Sequence, residues 1–120
     1  MTTHLLEEPR LQSAALDAQR PSILIVEDDP SLAEVLSIRL EQQGYRTYQA
    51  HTGRSGLAQA HDHRPHLVLM DLRLPDADGL DLCEKLDESA DTCGIPVIVL
   101  SGMERPDIIR RAGEAGCRYY

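Results

Sequence analysis

The sequence predicts an α/β protein built around a doubly wound parallel sheet. Three short aliphatic runs, at residues 23–26, 67–70 and 97–100, contain no polar residue. Unbroken runs of this length are typical of strands that are buried on both faces of a parallel sheet. Segments with helical spacing of apolar residues lie between them, and strands that alternate with helices imply right-handed crossovers. The 120 residues are enough for one domain and too few for two.

Signals at both ends mark the first helix. Asp29 is a good helix cap and Pro30 suits the first helical position, while Gly44 predicts where the helix ends. Its predicted buried stripe consists of Leu32, Val35, Leu36 and Leu40. A second strand is predicted at residues 45–50, and a weak second helix at residues 53–61.

The later elements continue this alternation. After the third strand and a loop at residues 73–79, a third helix is predicted, with Leu82, Cys83 and Leu86 as its stripe. Pro96 introduces the fourth strand and Pro106 opens a fourth helix. Residues 117–120 have the pattern of the start of a fifth strand.

The first 21 residues differ from the rest of the chain. Residues 1–21 are polar, with only a thin stripe of alanine and leucine at helical spacing. They predict an N-terminal tail that is either mobile or forms a short helix. The domain itself is therefore expected at residues 22–120.

The composition excludes several classes of partner. The formal net charge of −8 argues against nucleic acid as a partner of this segment, because phosphate binding needs a basic surface. No apolar stretch approaches the roughly 20 residues of a membrane span, and no signal peptide is evident. The three cysteines show no CxxC spacing and cannot all pair, which indicates free thiols in a reducing cytoplasm.

Each aliphatic run ends at a side chain that carries oxygen. Glu27 and Asp28 follow the first run, Asp71 the second and Ser101 the third. The carboxyl ends of parallel strands meet at one edge of the sheet, where open α/β sheets bind their ligands. Carboxylates that meet there repel one another and need a cation. Ligation by oxygen alone, with room for water, favours Mg²⁺ over Ca²⁺.

A carboxylate beside Mg²⁺ can act as the nucleophile toward a phosphoryl group. The metal offsets the repulsion between the two anions, and an aspartyl phosphate forms. The hydroxyl group of Ser101 is suited to hydrogen-bond a phosphoryl oxygen. No lysine is evident for the remaining oxygens.

Three motifs resemble the receiver domain of bacterial two-component response regulators. They are ILIVEDDP at residues 23–30, LMDLRLPDADGL at 69–80 and PVIVLSG at 96–102, and the resemblance covers residues 22–120. It implies a flavodoxin-like receiver fold with strand order 2-1-3-4-5. It also implies a cytoplasmic phosphoacceptor module. A histidine kinase or phosphotransfer protein would phosphorylate this module, which would then switch an output domain or effector.

The same resemblance implies the residues of a Mg²⁺ site. Asp71 would be both the phosphoacceptor and a direct ligand, together with Asp28. Glu27 would act mainly through water, and the backbone carbonyl group of Arg73 would be a further ligand.

For the phosphoryl group, the resemblance implies binding by Ser101 and by the backbone of Gly102. Tyr120 would be the aromatic residue that turns inward after phosphorylation. The protein would be an enzyme only in the sense of catalysing its own phosphorylation and dephosphorylation.

One departure from the family lies at the C-terminus. Family members carry Lys-Pro shortly after the aromatic residue, and then a last helix, whereas this sequence stops at Tyr120. The resemblance therefore implies a truncated receiver in which strand 5 is cut short and helix 5 is absent. Such a chain is expected to be phosphorylated slowly, and either to self-associate through exposed apolar surface or to be marginally stable.

Two other functions compete with this one. A protein-interaction module that does not depend on phosphorylation could keep the same fold. A phosphohydrolase of the haloacid dehalogenase type would need a second acid two residues after the nucleophile, where this chain has Arg73. Nucleotide or flavin binding is disfavoured because the loop after strand 1 lacks a glycine-rich cradle.

The remaining polar residues are interpreted without a functional role. Asp29 is expected only to cap the first helix. Solvated charges are expected at Asp76, Asp78 and Asp81. The histidines at positions 61, 63 and 66 are interpreted as solvent-exposed side chains rather than a metal site.

Overall fold

Residues 19–100 are described by the computed structural model, and they form a parallel sheet with helices on both faces. The strands are β1 (Ser22–Val26), β2 (Arg46–Ala50), β3 (Leu67–Asp71) and β4 (Val97–Leu100), in the order β2-β1-β3-β4. The helices are α1 (Pro30–Gln42), α2 (Gly53–His63) and α3 (Gly79–Glu88). The predicted doubly wound parallel sheet is confirmed. The predicted fourth helix, the fifth strand and most of the N-terminal tail fall outside the described residues.

The ends of α1 follow from the residues that flank it. The carboxylate of Asp29 accepts the N–H of Ser31 at 2.9 Å, and Pro30 occupies the first turn. At the other end Gly44 adopts a φ of +98°, a conformation that costs glycine little because it has no Cβ. Its N–H donates to the carbonyl group of Glu41. Both predicted helix boundaries are confirmed.

The buried face of α1 differs from the predicted stripe. The residues that are buried or pack against β1 are Ala33, Leu36, Ser37 and Leu40. Leu32 and Val35 are instead 44% and 49% exposed, because successive helical residues turn by roughly 100° and these two lie to the side of that face. Ser37 can be buried because its hydroxyl group hydrogen-bonds that of Thr47 in β2.

The two faces of the sheet are packed unequally. On one face α2 and α3 cover a core formed by Leu24, Val26, Val68, Met70, Val97 and Val99. On the other face α1 packs on β1 and β2, and Leu67, Leu69 and Ile98 are only half buried. Burial on both faces is thus confirmed for β1. The same prediction is wrong for β3 and β4. Among the described helices only α1 lies on that face, and α1 covers β1 and β2.

The register of the sheet brings the strand ends together. Val26 pairs with both Ala50 and Met70, and Asp71 pairs with Leu100. Glu27 continues the line of β1, and its N–H donates to the carbonyl group of Ala50 at 2.9 Å. The carboxyl ends of β1 and β3 therefore lie side by side. Within residues 19–100, every helix is too short or too polar to cross a membrane.

Candidate functional site

Three carboxyl groups converge where β1 and β3 end. One oxygen from each of Glu27, Asp28 and Asp71 lies within 4.8 Å of the others. Glu27 is buried, Asp71 is half buried and Asp28 is exposed, so the cluster opens to solvent on one side. Within residues 19–100 this is the one group of three or more potential ligand side chains that could hold a metal ion. The predicted convergence of these residues is confirmed.

Among residues 19–100, no ion pair joins the cluster to a basic side chain. Burial raises the pKa of Glu27 from 4.5 to about 7, and its side-chain hydrogen bonds with Asp28 and Asp71 and the charge of Asp71 act in the same direction. The N–H of Asp29, 3.3 Å from Glu27 Oε2, opposes the shift. A bound cation would favour the charged form of a carboxyl group that is buried beside two other acids. Oxygen donors in this arrangement fit a hard divalent cation.

The loop after β3 is folded back against the strand end. The N–H of Arg73 donates to Asp71 Oδ1 at 3.1 Å, and Arg73 forms an antiparallel bridge with Asp78 at the base of the loop. The next element starts in direct contact with β3, since a Cβ on Gly79 would lie 2.5 Å from the carbonyl oxygen of Asp71. Position 79 therefore requires glycine.

His51 is a neighbour of the site that sequence reasoning missed. It follows β2, and its Nδ1 lies 2.9 Å from the carbonyl oxygen of Glu27. A carbonyl oxygen only accepts, so Nδ1 carries the proton in this contact. The imidazole thus holds the main chain of Glu27 in place. The two residues are 24 positions apart in the sequence, so no local sequence pattern predicts their contact.

Asp76 is exposed, as expected of a solvated loop charge, and Asp78 lies at a helix start as expected, but both also accept specific backbone hydrogen bonds. Asp76 accepts the N–H groups of Gly53 at 2.7 Å and of Arg54 at 3.1 Å. These bonds lower the pKa of its carboxyl group. Asp78 caps α3 by accepting the N–H of Leu80 at 2.9 Å.

The structure places Asp81 and Asp29 as the sequence predicts. Asp81 is exposed in the first turn of α3. Asp29 caps α1 as predicted, although its N–H also reaches Glu27.

The three histidines do not form a metal site in the described part of the chain. His61 Nδ1 lies 3.7 Å from the carboxylate of Asp91. The ring of His63 stacks on Tyr48 with centroids 4.0 Å apart. His66 Nδ1 accepts the N–H of Ser22 at 3.0 Å. His63 and His66 are exposed as expected and His61 is half buried, but each also contacts another element, and position in the sequence alone does not reveal these contacts.

Three of the predicted site residues, Ser101, Gly102 and Tyr120, lie outside the described residues. Leu100, which pairs with Asp71 at the end of β4, is the last described residue before them. Their predicted roles stay predictions.

Comparison with known proteins decides the family. The model of the response regulator receiver domain matches residues 23–120. The chain belongs to this family. Receivers act in two-component signalling as phosphoacceptor modules, they interact with histidine kinases and output domains, and they generally bind Mg²⁺ at an acidic pocket.

Individual relatives of this receiver differ in length. It is 41% identical over 83 residues to the DNA-binding dual master transcriptional regulator RpaA of Synechocystis, covering 69% of this chain and 34% of that protein. It is 32% identical over 99 residues to the polar-differentiation response regulator DivK of Brucella anthropi, covering 82% and 80%. The chain therefore spans about a third of the length of some curated relatives and most of the length of others.

Solved structures agree with the fold. A CheY-like response regulator receiver domain protein from Methanospirillum hungatei superposes with a TM-score of 0.79 at 30% identity, covering 85% of this chain and 80% of that one. The four described strands thus have the order 2-1-3-4 of a CheY-like receiver.

Proposed function

We propose that Asp71 accepts a phosphoryl group from a histidine kinase or phosphotransfer protein, and that the domain thereby switches an output domain or effector. The observation that carries the proposal is the convergence of Glu27, Asp28 and Asp71 within 4.8 Å. The same three residues would hold Mg²⁺, with the backbone carbonyl group of Arg73 as a further ligand. Bound there, Mg²⁺ would offset the repulsion between the carboxylates and the incoming phosphoryl group.

The chain's own groups prepare the carboxylate of Asp71. The N–H of Arg73 holds Oδ1 at 3.1 Å, which restricts rotation of the carboxylate. In the transfer, a carboxylate oxygen forms a bond to phosphorus while the bond from phosphorus to the donor nitrogen breaks, and the leaving imidazole takes up a proton. We further propose that Ser101 and the backbone of Gly102 bind the phosphoryl oxygens, and that Tyr120 responds to the phosphorylated state.

The phosphoacceptor is tested by substitution. Incubation with acetyl phosphate and Mg²⁺, followed by mass spectrometry, should show one labile adduct in the wild type and in Asp81→Asn, whose altered side chain is exposed in α3. The adduct should be lost in Asp71→Asn, because an amide is not a nucleophile here. An adduct that persists in Asp71→Asn would place the acceptor elsewhere.

We also propose a cytoplasmic location and interaction with other signalling proteins. Cys93 is an exposed free thiol, as expected in a reducing compartment. Self-association stays a prediction. Its support is an apolar cavity of about 300 Å³ whose lining includes Leu67, Leu69 and Ile98, and sedimentation at micromolar concentration tests it.

A further inference from the structure

We propose that Asp76 is a positioning residue for the metal site, because it ties the loop between β3 and α3 to the first turn of α2. The inference rests on the proposed function, since it assigns Asp76 a role in holding the segment that follows Asp71. Asp76 does not contact the carboxyl cluster itself. It acts through the backbone of the loop.

The contact joins two elements that are distant in sequence. Each oxygen of the Asp76 carboxylate accepts one backbone N–H, Oδ1 from Gly53 at 2.7 Å and Oδ2 from Arg54 at 3.1 Å. These N–H groups belong to the first turn of α2, where the helix has no internal acceptors for them. Thr52 already caps the same turn by accepting the N–H of Ser55. The turn therefore receives a second cap from the loop after β3.

The close approach depends on the missing side chain of Gly53. A Cβ at this position would lie 2.9 Å from Cβ of Ala77 and 3.2 Å from Oδ1 of Asp76. Gly53 is buried although it opens a helix. The tip of the loop thus packs directly onto the backbone of α2, and the hydrogen bonds fix it there.

The loop passes this restraint to the site because it is short and closed at its base. The bridge between Arg73 and Asp78 forms the base, where the N–H of Gly79 also donates to the carbonyl group of Leu72 at 3.2 Å. Arg73 lies at this base, where its N–H holds Asp71, and its carbonyl group, in the peptide unit that leads toward the tip, is the proposed ligand. Fixing both the base and the tip limits how far these two peptide units can rotate.

Two variants and a matched control separate positioning from stability alone. Asp76→Ala removes both contacts. Asp76→Asn keeps an oxygen that can accept one N–H. Thr92→Val removes the buried hydrogen bond from Thr92 Oγ1 to the carbonyl oxygen of Leu86, at the C-terminal end of α3, and lowers stability without touching the loop after β3.

The readout is the affinity for Mg²⁺ alone, followed by amide NMR shifts of residues 27–29 and 71–73 at a temperature where all variants are folded. Loss of a direct hydrogen-bond partner of a metal ligand typically costs 10–100-fold in affinity, and the low end of that range applies to Asp76 because it acts one step further from the ligands. We expect about a 10-fold weaker Kd in Asp76→Ala, a smaller loss in Asp76→Asn, and an unchanged Kd in Thr92→Val. An unchanged Kd in Asp76→Ala, or an equal loss in Thr92→Val, would overturn the inference.

A second measurement needs no substitution of Asp76. Coupling between two sites is reciprocal, so saturating Mg²⁺ should slow hydrogen exchange at the amides of Gly53 and Arg54 in the wild type. No change in their exchange would contradict the inference even if Asp76→Ala failed to fold. Absence of Mg²⁺ shifts near Asp71 in the wild type would instead overturn the proposed function, so the two failures are distinguishable.

Discussion

Among single residues, Glu27 makes the acidic site costly to the fold. Its pKa is raised from 4.5 to about 7, first by burial. Between those pH values the folded state therefore binds more protons than the unfolded state. Where this is so, the free energy of unfolding decreases as the pH rises. The free energy of unfolding of the metal-free protein should fall as pH rises from about 4.5 through about 7.

Glu27→Gln tests this dependence. An amide cannot ionise, so the variant should be more stable than the wild type at pH 8, by on the order of 1–3 kcal/mol, and close to it near pH 4.5. Urea unfolding at both pH values, without added metal, measures the difference. Asp81→Asn is the control, because Asp81 is exposed in α3. A variant whose stability declines with pH as steeply as that of the wild type would contradict the role given to Glu27.

Gly79 carries a second prediction at this scale. A Cβ there would lie 2.5 Å from the carbonyl oxygen of Asp71 and 3.0 Å from Cα of Leu72, and backbone atoms cannot move aside as a flexible side chain can. Gly79→Ala should destabilise the domain by about 1–3 kcal/mol and weaken Mg²⁺ binding. Gly94→Ala, where a Cβ meets no atom within 4 Å, should change neither. Equal melting temperatures for the two variants would argue against the close contact.

At the level of secondary-structure elements, a polar cluster attaches α1 to the outer strand β2. The hydroxyl groups of Ser37 and Thr47 are hydrogen-bonded, and Thr47 also donates to Glu41 Oε1 at 2.8 Å. Ser37 is 5% exposed, so water cannot readily replace its partner. The helix is thus fixed to β2 by hydrogen bonds and to β1 by apolar packing.

Thr47→Val should cost more than a surface substitution. It removes the hydroxyl group that hydrogen-bonds both Ser37 and Glu41. The buried Ser37 hydroxyl group keeps Glu41 Oε1, 3.3 Å away, as its remaining partner, so the expected cost is that of the lost hydrogen bonds, about 0.5–1.5 kcal/mol each. Val35→Ser, at a residue that is 49% exposed, should stay within about 0.5 kcal/mol of the wild type. Chemical denaturation of the two variants measures the contrast. If Val35→Ser is the more destabilising change, the assignment of the buried face of α1 is wrong.

Sequence reasoning predicted these elements where the signals are local. Asp29 and Gly44 mark the ends of α1, and the aliphatic runs mark the strands whose ends place Glu27 and Asp71 together. The buried face of α1 was not predictable from hydrophobicity, because Ser37 is buried by virtue of a partner in another element. The carboxylate of Asp76 meets Gly53 across 23 residues of sequence, and that pairing exists only once the chain is folded.

For the whole molecule, the acidic site should link metal binding to stability. A ligand that binds only the folded state stabilises it by about 2.7 kcal/mol at a concentration 100 times its Kd. Saturating Mg²⁺ should therefore raise the melting temperature by several degrees, and more at pH 8 than at pH 5, because Glu27 loses its proton as pH rises. Differential scanning calorimetry with and without Mg²⁺ measures this. Asp28→Asn should reduce the shift, and an equal shift in that variant would place the cation elsewhere.

The contact between Gly79 and the end of β3 also bears on how this sequence can change over generations. Any single-base substitution at the first or second position of a glycine codon brings in a residue with a side chain, or a stop codon. At position 79 each such residue would meet the backbone oxygen of Asp71. Every such point mutation at position 79 should therefore destabilise the domain. Substitutions at exposed positions such as Leu32 and Val35 meet no such clash. Descendants of this chain should diverge on the outer surface of α1 long before they diverge at position 79.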